Sequence, residues 1–312
     1  MSATLAKLER VGIGYGAAGV RALSDVTLTL NAGERLGIIG ESGSGKSTLA
    51  LALAGLLPPG ASLVGRIDWA GTLPRPGRDI GFVFQDPAGS FDPVISIGAQ
   101  IAEVVRTHAA VSRSAAWTRA VALLDAVRLP EPERIARAFP HELSGGQKQR
   151  AALAIALAGD PKLLIADEAT SALDTVVQAE IVALIDRLVA ETELTLLFIT
   201  HDIALAGRLS RRVAVLYGGR LVELGAAARV LARPRHPYTR ALLSAHLDLD
   251  TVGKRAVPTI AGAPPDPAAP LVGCRFAPRC PFADATCRVE PAWSGDDRDG
   301  FACHHPTGEA AP

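Results

Sequence analysis

The residues best equipped for chemistry form the run Gly40-Glu41-Ser42-Gly43-Ser44-Gly45-Lys46-Ser47. Its spacing, G-x-x-x-x-G-K-[ST], is that of a phosphate grip. Gly40, Gly43 and Gly45 let the backbone turn its N–H groups inward around phosphate oxygens, and Ser42 lies within the same turn. Lys46 brings a positive charge to the β and γ phosphates, and Ser47 offers a hydroxyl to Mg²⁺. A glycine-rich turn with a chance lysine is the plainer alternative, and the flanks argue against it. Residues 35–39 read as a buried strand, and residues 48–57, beginning at Thr48, as the helix whose N-terminus faces the anion.

Further candidates stand at the ends of apolar runs. Leu163-Leu164-Ile165-Ala166 is followed by Asp167 and Glu168, two carboxylates at the edge of a strand where α/β proteins place ligands. Asp167 suits Mg²⁺ or its water shell, and Glu168 can polarise an attacking water. A solvated acidic loop would not need so apolar a strand before it. Gln85 ends another strand, where its amide oxygen can reach a metal or a water. His201 ends a third, over residues 194–200; a lone histidine is more often structural, but this position favours contact with a γ-phosphate. Tyr15, between Gly14 and Gly16, can stack on a base or pack in the core, and the local sequence leaves both open. Ser144-Gly145-Gly146-Gln147 follows Leu143 and opens an alanine-rich helix over residues 148–158, giving a second anion-binding helix start.

The elements that must position these residues alternate between strand and helix, an α/β pattern. Residues 5–13 and 26–30 alternate like strands, with Val26, Leu28 and Leu30 on one face. Residues 63–69 and 79–84 read as further strands. Residues 97–129 are helical, carrying Ile101, Val104, Val105, Ala120, Leu123, Leu124 and Val127 at three- and four-residue steps. Ser171-Ala172-Leu173-Asp174 leads into a helix with Val177, Ile181, Ile185 and Leu188 on one face. Residues 212–217 and 220–224, joined at Gly218-Gly219, read as a hairpin.

Composition bounds the function. At 312 residues and 48% hydrophobic content the chain can bury a sizeable core. Lys+Arg and Asp+Glu both number 32, so no basic excess points to nucleic acid. The longest apolar runs fall short of the ~18 residues of a membrane span. Residues 1–10 show no apolar signal core, which places the chain in the cytoplasm.

All four cysteines, Cys274, Cys280, Cys287 and Cys303, fall near the C-terminus, after a stretch crowded with Pro258, Pro264, Pro265, Pro267 and Pro270 that reads as a linker into a separate unit. A cytosolic setting disfavours disulfides. Four thiols within 30 residues can close a tetrahedral metal site or hold an iron–sulfur cluster, with His304 and His305 as alternative ligands, or stay unliganded. The spacings of five, six and fifteen intervening residues depart from the C-x-x-C pairs of common zinc sites and leave zinc and iron both open.

Together these motifs closely resemble the ATP-binding cassette ATPases. The aromatic A-loop residue (Tyr15), Walker A (residues 40–48), the Q-loop (Gln85), the LSGGQ signature (residues 143–147), Walker B (residues 163–168) and the switch histidine (His201) appear in that family's order. Ala169 stands where the family often has proline, which leaves both carboxylates in place. The tail motifs His236-Pro237-Tyr238-Thr239-Arg240-Ala241-Leu242-Leu243 and Gly273-Cys274-Arg275-Phe276-Ala277-Pro278-Arg279-Cys280-Pro281 look like those of the dipeptide and oligopeptide importer subfamily, which nickel and glutathione importers share.

The resemblance implies an α/β, P-loop (RecA-like) nucleotide-binding domain over residues 1–232, with an antiparallel β subdomain and a helical subdomain near residues 95–160. A Cys-rich extension would follow over residues 233–312. It implies ATP and Mg²⁺ as ligands: Lys46 and the loop amides on the phosphates, Ser47, Gln85 and Asp167 at Mg²⁺, and Tyr15 on adenine. Glu168 would serve as base and His201 at the γ-phosphate. Ser144, Gly145, Gly146 and Gln147 would come from a partner subunit's side of the site, and Asp174 would bridge the dimer. It also implies a four-iron four-sulfur cluster on the four cysteines. The partners implied are a second, non-identical ATPase subunit, two membrane permeases and an extracytoplasmic solute-binding protein, at the cytoplasmic face of the cell membrane. The function implied is ATP-driven peptide import. A soluble cassette enzyme acting on DNA or ribosomes, or a regulatory iron–sulfur module, would share part of this pattern.

Overall fold

The computed structural model describes residues 3–16, 20–171, 173–245, 260–266, 268 and 272–307. Ala172 and the linker prolines Pro258, Pro267 and Pro270 lie outside the described residues. Strand β1 (Thr4–Tyr15) pairs with β2 (Val20–Asn31); β3 (Arg35–Ile39) and helix α1 (Lys46–Ala54) follow, and β4 (Ser62–Trp69) returns to the other edge of β1. The sheet β2-β1-β4 is antiparallel throughout, and the period-two alternation of residues 5–13 and 26–30 turns one face of it to the core. Leu8, Val11, Ile13, Val26, Leu28 and Leu30 share a core with Leu49 and Leu53 of α1.

Next come β5 (Ile80–Val83), then α2 (Ile97–His108), α3 (Arg113–Ala126), α4 (Pro132–Arg137) and α5 (Gly145–Leu157). β6 (Leu163–Asp167), α6 (Thr175–Thr192), β7 (Thr195–Ile199), α7 (Ile203–Leu209), β8 (Arg212–Tyr217) and β9 (Arg220–Ala226) complete the cassette core. The chain ends with α8 (Ala227–Ala232), α9 (Pro237–Ser244), β10 (Ser294–Gly295) and β11 (Gly300–Phe301). The larger sheet has the order β10-β11-β9-β8-β3-β7-β6-β5, parallel from β8 to β5. Parallel strands covered on both faces read as continuous apolar runs, and every residue of β6 and β7 is buried. Helices α2 to α5 form the helical layer, with Ile101, Val105, Ala120, Leu124 and Ala151 in its core.

Two helices begin earlier than their apolar patterns suggest. α1 starts at Lys46 because Gly45, in a left-handed conformation, can serve as its cap, and it stops at Ala54 because Gly55 (φ 68°) turns the chain away. α5 starts at Gly145, where Ser144 and Gln147 close a capping box that outweighs two glycines in the first turn.

The C-terminal residues share a sheet and a core with the rest. β11 pairs with β9, matching Gly300 to Leu224 and Phe301 to Glu223. Tyr217 of β8 packs at a tilt against Tyr238 of α9, 4.4 Å between ring centroids, and meets Phe276 edge-on at 5.2 Å. Thr29, on the polar face of β2, is nonetheless buried, because Asp297 accepts hydrogen bonds from its hydroxyl and, through its carbonyl, from its N–H. Among the described residues no helix is long and apolar enough to cross a membrane.

Candidate nucleotide site

The loop between β3 and α1 is shaped by backbone positions that side chains cannot occupy. A Cβ on Gly40 (φ 153°) would lie 2.2 Å from the carbonyl oxygen of Leu216, and one on Gly45 (φ 100°) would lie 2.5 Å from Leu23 Cδ2. Lys46 is 5% exposed, and its Nζ donates to the carbonyls of Gly40 and Glu41, both at 2.9 Å. Burial lowers its pKa, while Glu168, Asp167 and Glu41 oppose that shift. Among the described residues the buried hydroxyl of Ser44 finds no hydrogen-bond partner. A buried polar group without a partner is costly, and a phosphate oxygen in this loop would supply one. The cradle therefore fits a polyphosphate, with the N-terminus of α1 facing it.

The acidic pair lies against this loop. Ser47 Oγ donates to Asp167 Oδ1 at 3.1 Å, bringing together the hydroxyl and the carboxylate that can hold Mg²⁺. Asp167 is buried at the end of β6, and desolvation raises its pKa; the Ser47 hydroxyl opposes the shift and Glu168 adds to it. Glu168 follows in a left-handed conformation (φ 46°) that is strained for a residue with a Cβ, and its N–H is anchored to the Ile199 carbonyl at 2.9 Å. Three groups converge on its carboxylate. Gln85 Nε2 donates to Oε2 at 3.2 Å, His201 Nδ1 lies 3.5 Å from the same oxygen, and Lys46 Nζ lies 3.9 Å from Oε1. The amide nitrogen of Gln85, and not its oxygen, makes this contact.

Other sequence candidates are placed differently. Tyr15 is part-buried at the end of β1, packed against the core, with its hydroxyl donating to Thr48 Oγ1 at 3.3 Å. Ser144 Oγ accepts from the Gln147 N–H at 3.3 Å, and Gln147 Oε1 accepts from the Ser144 N–H at 3.0 Å. Gly145 faces Leu173, and a Cβ on Gly146 would lie 2.8 Å from Val177 Cγ1, so this start of α5 rests against α6 and the loop before it. Asp174 caps α6 by accepting from the N–H groups of Val176 and Val177. Among the described residues no hydrogen bond or ion pair joins residues 144–147 or Asp174 to the loop at Gly40, Ser42, Gly43 and Lys46.

The four cysteines are free thiols, with Cys287 buried and the others half-buried. Burial raises the pKa of Cys274, Cys280 and Cys303; with the neighbouring thiols adding to burial, Cys303 is pushed up to about 11. Backbone N–H groups of Phe276 and Ala277, of Phe282 and Ala283, and of His305 oppose this by hydrogen bonding to Cys274, Cys280 and Cys303 respectively. Such N–H···S bonds favour the thiolate at these three cysteines, against the larger, opposite effect of burial. Zinc would need four ligand atoms about 3.8 Å apart, the edge of a tetrahedron with Zn–S near 2.3 Å. Among the described residues the trio within 4.8 Å of one another is Asp284, Cys287 and His305, which includes one thiol only. His304 Nε2 instead lies 2.9 Å from the Val289 carbonyl.

Residues 23–171 match the ABC transporter family, and residues 222–287 match the oligopeptide/dipeptide transporter C-terminal region. The chain is 42% identical over 282 residues to the oligopeptide transport ATP-binding protein OppD of Salmonella typhimurium, covering 87% of this chain and 84% of that protein. The chain belongs to the ATP-binding cassette transporter family. As a cassette ATPase it also aligns with the "Probable peptide ABC transporter ATP-binding protein" of Sinorhizobium fredii, 44% identical over 301 residues, 92% of this chain and 90% of the relative. Among solved structures it superimposes on a dimeric cassette in a post-hydrolysis state bound to ADP and Pi. The TM-score is 0.63 at 31% identity, over 72% of this chain and 99% of that one.

Sequence reasoning about this cassette misses three side chains at the loop: Ser44, Tyr238 and Arg279. Tyr238 and Arg279 lie in the tail motifs that carry the subfamily resemblance, but nothing local in either motif says that it reaches Glu41, 197 and 238 positions away.

Proposed function

We propose that this chain is the ATP-hydrolysing subunit that powers import of di- or oligopeptides across the cytoplasmic membrane through partner permease subunits. The observation that carries the reading is the convergence of Lys46, Gln85 and His201 on the Glu168 carboxylate, beside the Ser47–Asp167 pair. The match of residues 222–287 to an oligopeptide/dipeptide transporter region supports the peptide class of cargo.

Lys46 and the loop amides hold the β and γ phosphates, and Tyr15 lies at the adenine end. Ser47, Asp167 and Gln85 would hold Mg²⁺, which would supply charge compensation to the phosphates. Glu168 takes or directs the proton of the attacking water, and His201 positions that water and the γ-phosphate. Gln85 senses the state of Glu168 and passes it to the helical layer. Placement and charge compensation do most of the work, because phosphoryl transfer asks little covalent chemistry of a protein.

Ser144 to Gln147 serve the site of a second cassette subunit, and Asp174 lies at the same interface; the lack of a bond between them and this chain's own loop supports that arrangement. The second cassette is a non-identical homologue, and an extracytoplasmic solute-binding protein delivers the peptide. The assembly sits on the cytoplasmic face of the membrane. Residues 1–232 form the ATPase unit and residues 233–312 the extension, whose four thiols would hold a four-iron four-sulfur cluster.

Uptake of a radiolabelled tripeptide by cells that carry the wild-type or the Lys46→Ala chain in place of the native copy tests the reading. Uptake that is lost with Lys46→Ala supports it, and uptake indifferent to that change opposes it.

A further inference from the structure

Glu41 occupies one of the variable positions of the phosphate loop, where the motif asks for no particular side chain. It is nevertheless held at three points. Its N–H donates to the Tyr238 hydroxyl at 2.8 Å, its carbonyl accepts from Lys46 Nζ at 2.9 Å, and its carboxylate is gripped by Arg279. The grip is a fork: Arg279 Nη1 donates to Oε2 at 2.7 Å and Nη2 to Oε1 at 3.0 Å. The remaining contacts of Arg279 fix it in turn. Its Nε donates to the Ala261 carbonyl at 2.9 Å, Nη2 to the Ile260 carbonyl at 3.1 Å, and Nη1 to the Tyr217 hydroxyl at 3.2 Å. The side chain is 4% exposed.

A buried ion pair is a poor source of net stability, because desolvating both charges offsets their attraction; its better-attested use is to specify one arrangement. Here the arrangement specified is that of the loop. Planar, two-point contact fixes the direction of the Glu41 side chain as well as its distance. With the amide and the carbonyl of the same residue also held, the peptide units on either side of Glu41 have little freedom. A loop ordered before the ligand arrives does not lose that freedom on binding, which raises affinity without adding a contact.

We propose that Arg279 is a positioning residue for nucleotide binding, acting through Glu41 to hold the phosphate loop in its receiving conformation. Arg279 ends the short turn over residues 277–279 and directly precedes Cys280, so the order of the four-cysteine region and the order of the loop are joined through one side chain. The inference rests on the nucleotide-site reading above.

The test is equilibrium binding of a fluorescent ATP analogue to the full chain, with turnover at saturating ATP and thermal unfolding measured alongside. Arg279→Ala is expected to raise Kd about tenfold, within the range of coupling between contacting residues. Arg279→Lys, which keeps the charge but not the fork, falls between it and the wild type. Glu41→Gln weakens binding to a similar degree, and the double variant is no worse than either single one. Turnover at saturation stays within about twofold of wild type for Arg279→Ala and Arg279→Lys, so the loss there is in affinity and not in chemistry. Should Arg279→Ala fail to fold, Glu41→Gln carries the same expectation: it keeps the size but replaces one acceptor oxygen of the fork with an amide donor. Unchanged Kd in the variants, or losses that add in the double variant, overturn the inference alone. Failure of the wild-type chain to bind the analogue overturns the nucleotide reading and this inference with it.

Discussion

Gln85 Nε2 donates to Glu168 Oε2 at 3.2 Å, so the loop after β5 is tied directly to the carboxylate that follows β6. Glu168 sits in a left-handed conformation with His201 and Lys46 on its other sides. That geometry suits a base whose position is set by its neighbours. Glu168→Gln keeps the shape and loses the ability to take a proton. ATP binding is expected within about twofold of wild type, and turnover is expected to fall by about 10²- to 10⁴-fold, the usual worth of general-base catalysis. Phosphate release from the assembled transporter at saturating ATP measures this. Wild-type turnover would remove Glu168 from the chemistry.

Variants of Lys46 and Ser144 test the proposed division of the site between two cassette subunits. Lys46 is buried on the loop carbonyls, so Lys46→Ala is expected to weaken nucleotide binding by about 30-fold or more, as loss of a desolvated charge partner does. Ser144→Asp keeps a good helix cap but sets a negative charge where a partner's γ-phosphate would lie. Binding to the isolated chain should hold while turnover of the assembly is lost. Titration of the fluorescent analogue and ATPase assays distinguish the two variants; a Ser144→Asp assembly that turns over normally would contradict the shared-site arrangement.

His236 gives the chain an acid limit. It is 1% exposed, its Nδ1 accepts from the Tyr238 N–H at 3.0 Å to cap α9, and burial lowers its pKa to about 3. The unfolded chain takes up this proton near pH 6.5 and the folded chain does not, so stability is complete above about 6.5 and declines as pH falls toward 3. Between pH 7.5 and 5 the loss from this group is about 2 kcal/mol, since pH 5 lies 1.5 units below the unfolded-state pKa at 1.36 kcal/mol per unit. Denaturant midpoints at the two pH values, compared with those of His236→Asn, which caps without titrating, measure it. An equal pH slope in both proteins would assign the acid sensitivity elsewhere.

The thiol set makes a prediction of composition. Protein purified without oxygen should carry iron and acid-labile sulfide in equal amounts, and Cys280→Ser should reduce both. Zinc in place of iron, with no sulfide, would contradict the cluster, and a metal-free wild-type chain would leave the four thiols structural.

Much of the nucleotide site was legible because its chemistry is local. Gly40 to Ser47 fold on themselves, and the buried strands that end at Asp167 and at Ile199, two residues before His201, announce themselves as apolar runs. Helix starts were less legible, since the cap at Ser144 overrides the weak helix propensity of Gly145 and Gly146. The orientation of the Gln85 amide depends on Glu168, 83 residues away, and could not be read from either stretch. The proline-rich stretch suggested a separate C-terminal unit, yet β11 extends the main sheet and Phe276 packs on Tyr217. Composition marks a linker; only pairing in space shows what the segment after it packs against. Arg279 was visible as part of a motif, but its partner lies at the other end of the chain.

Gentle solubilisation of native membranes, capture of the tagged chain and mass spectrometry of what accompanies it test the central claim most directly. Two multi-spanning permeases and a second cassette ATPase, with a solute-binding protein when peptide is present, are the expected companions. Recovery of soluble partners alone would contradict an importer and leave a cassette ATPase with a different load.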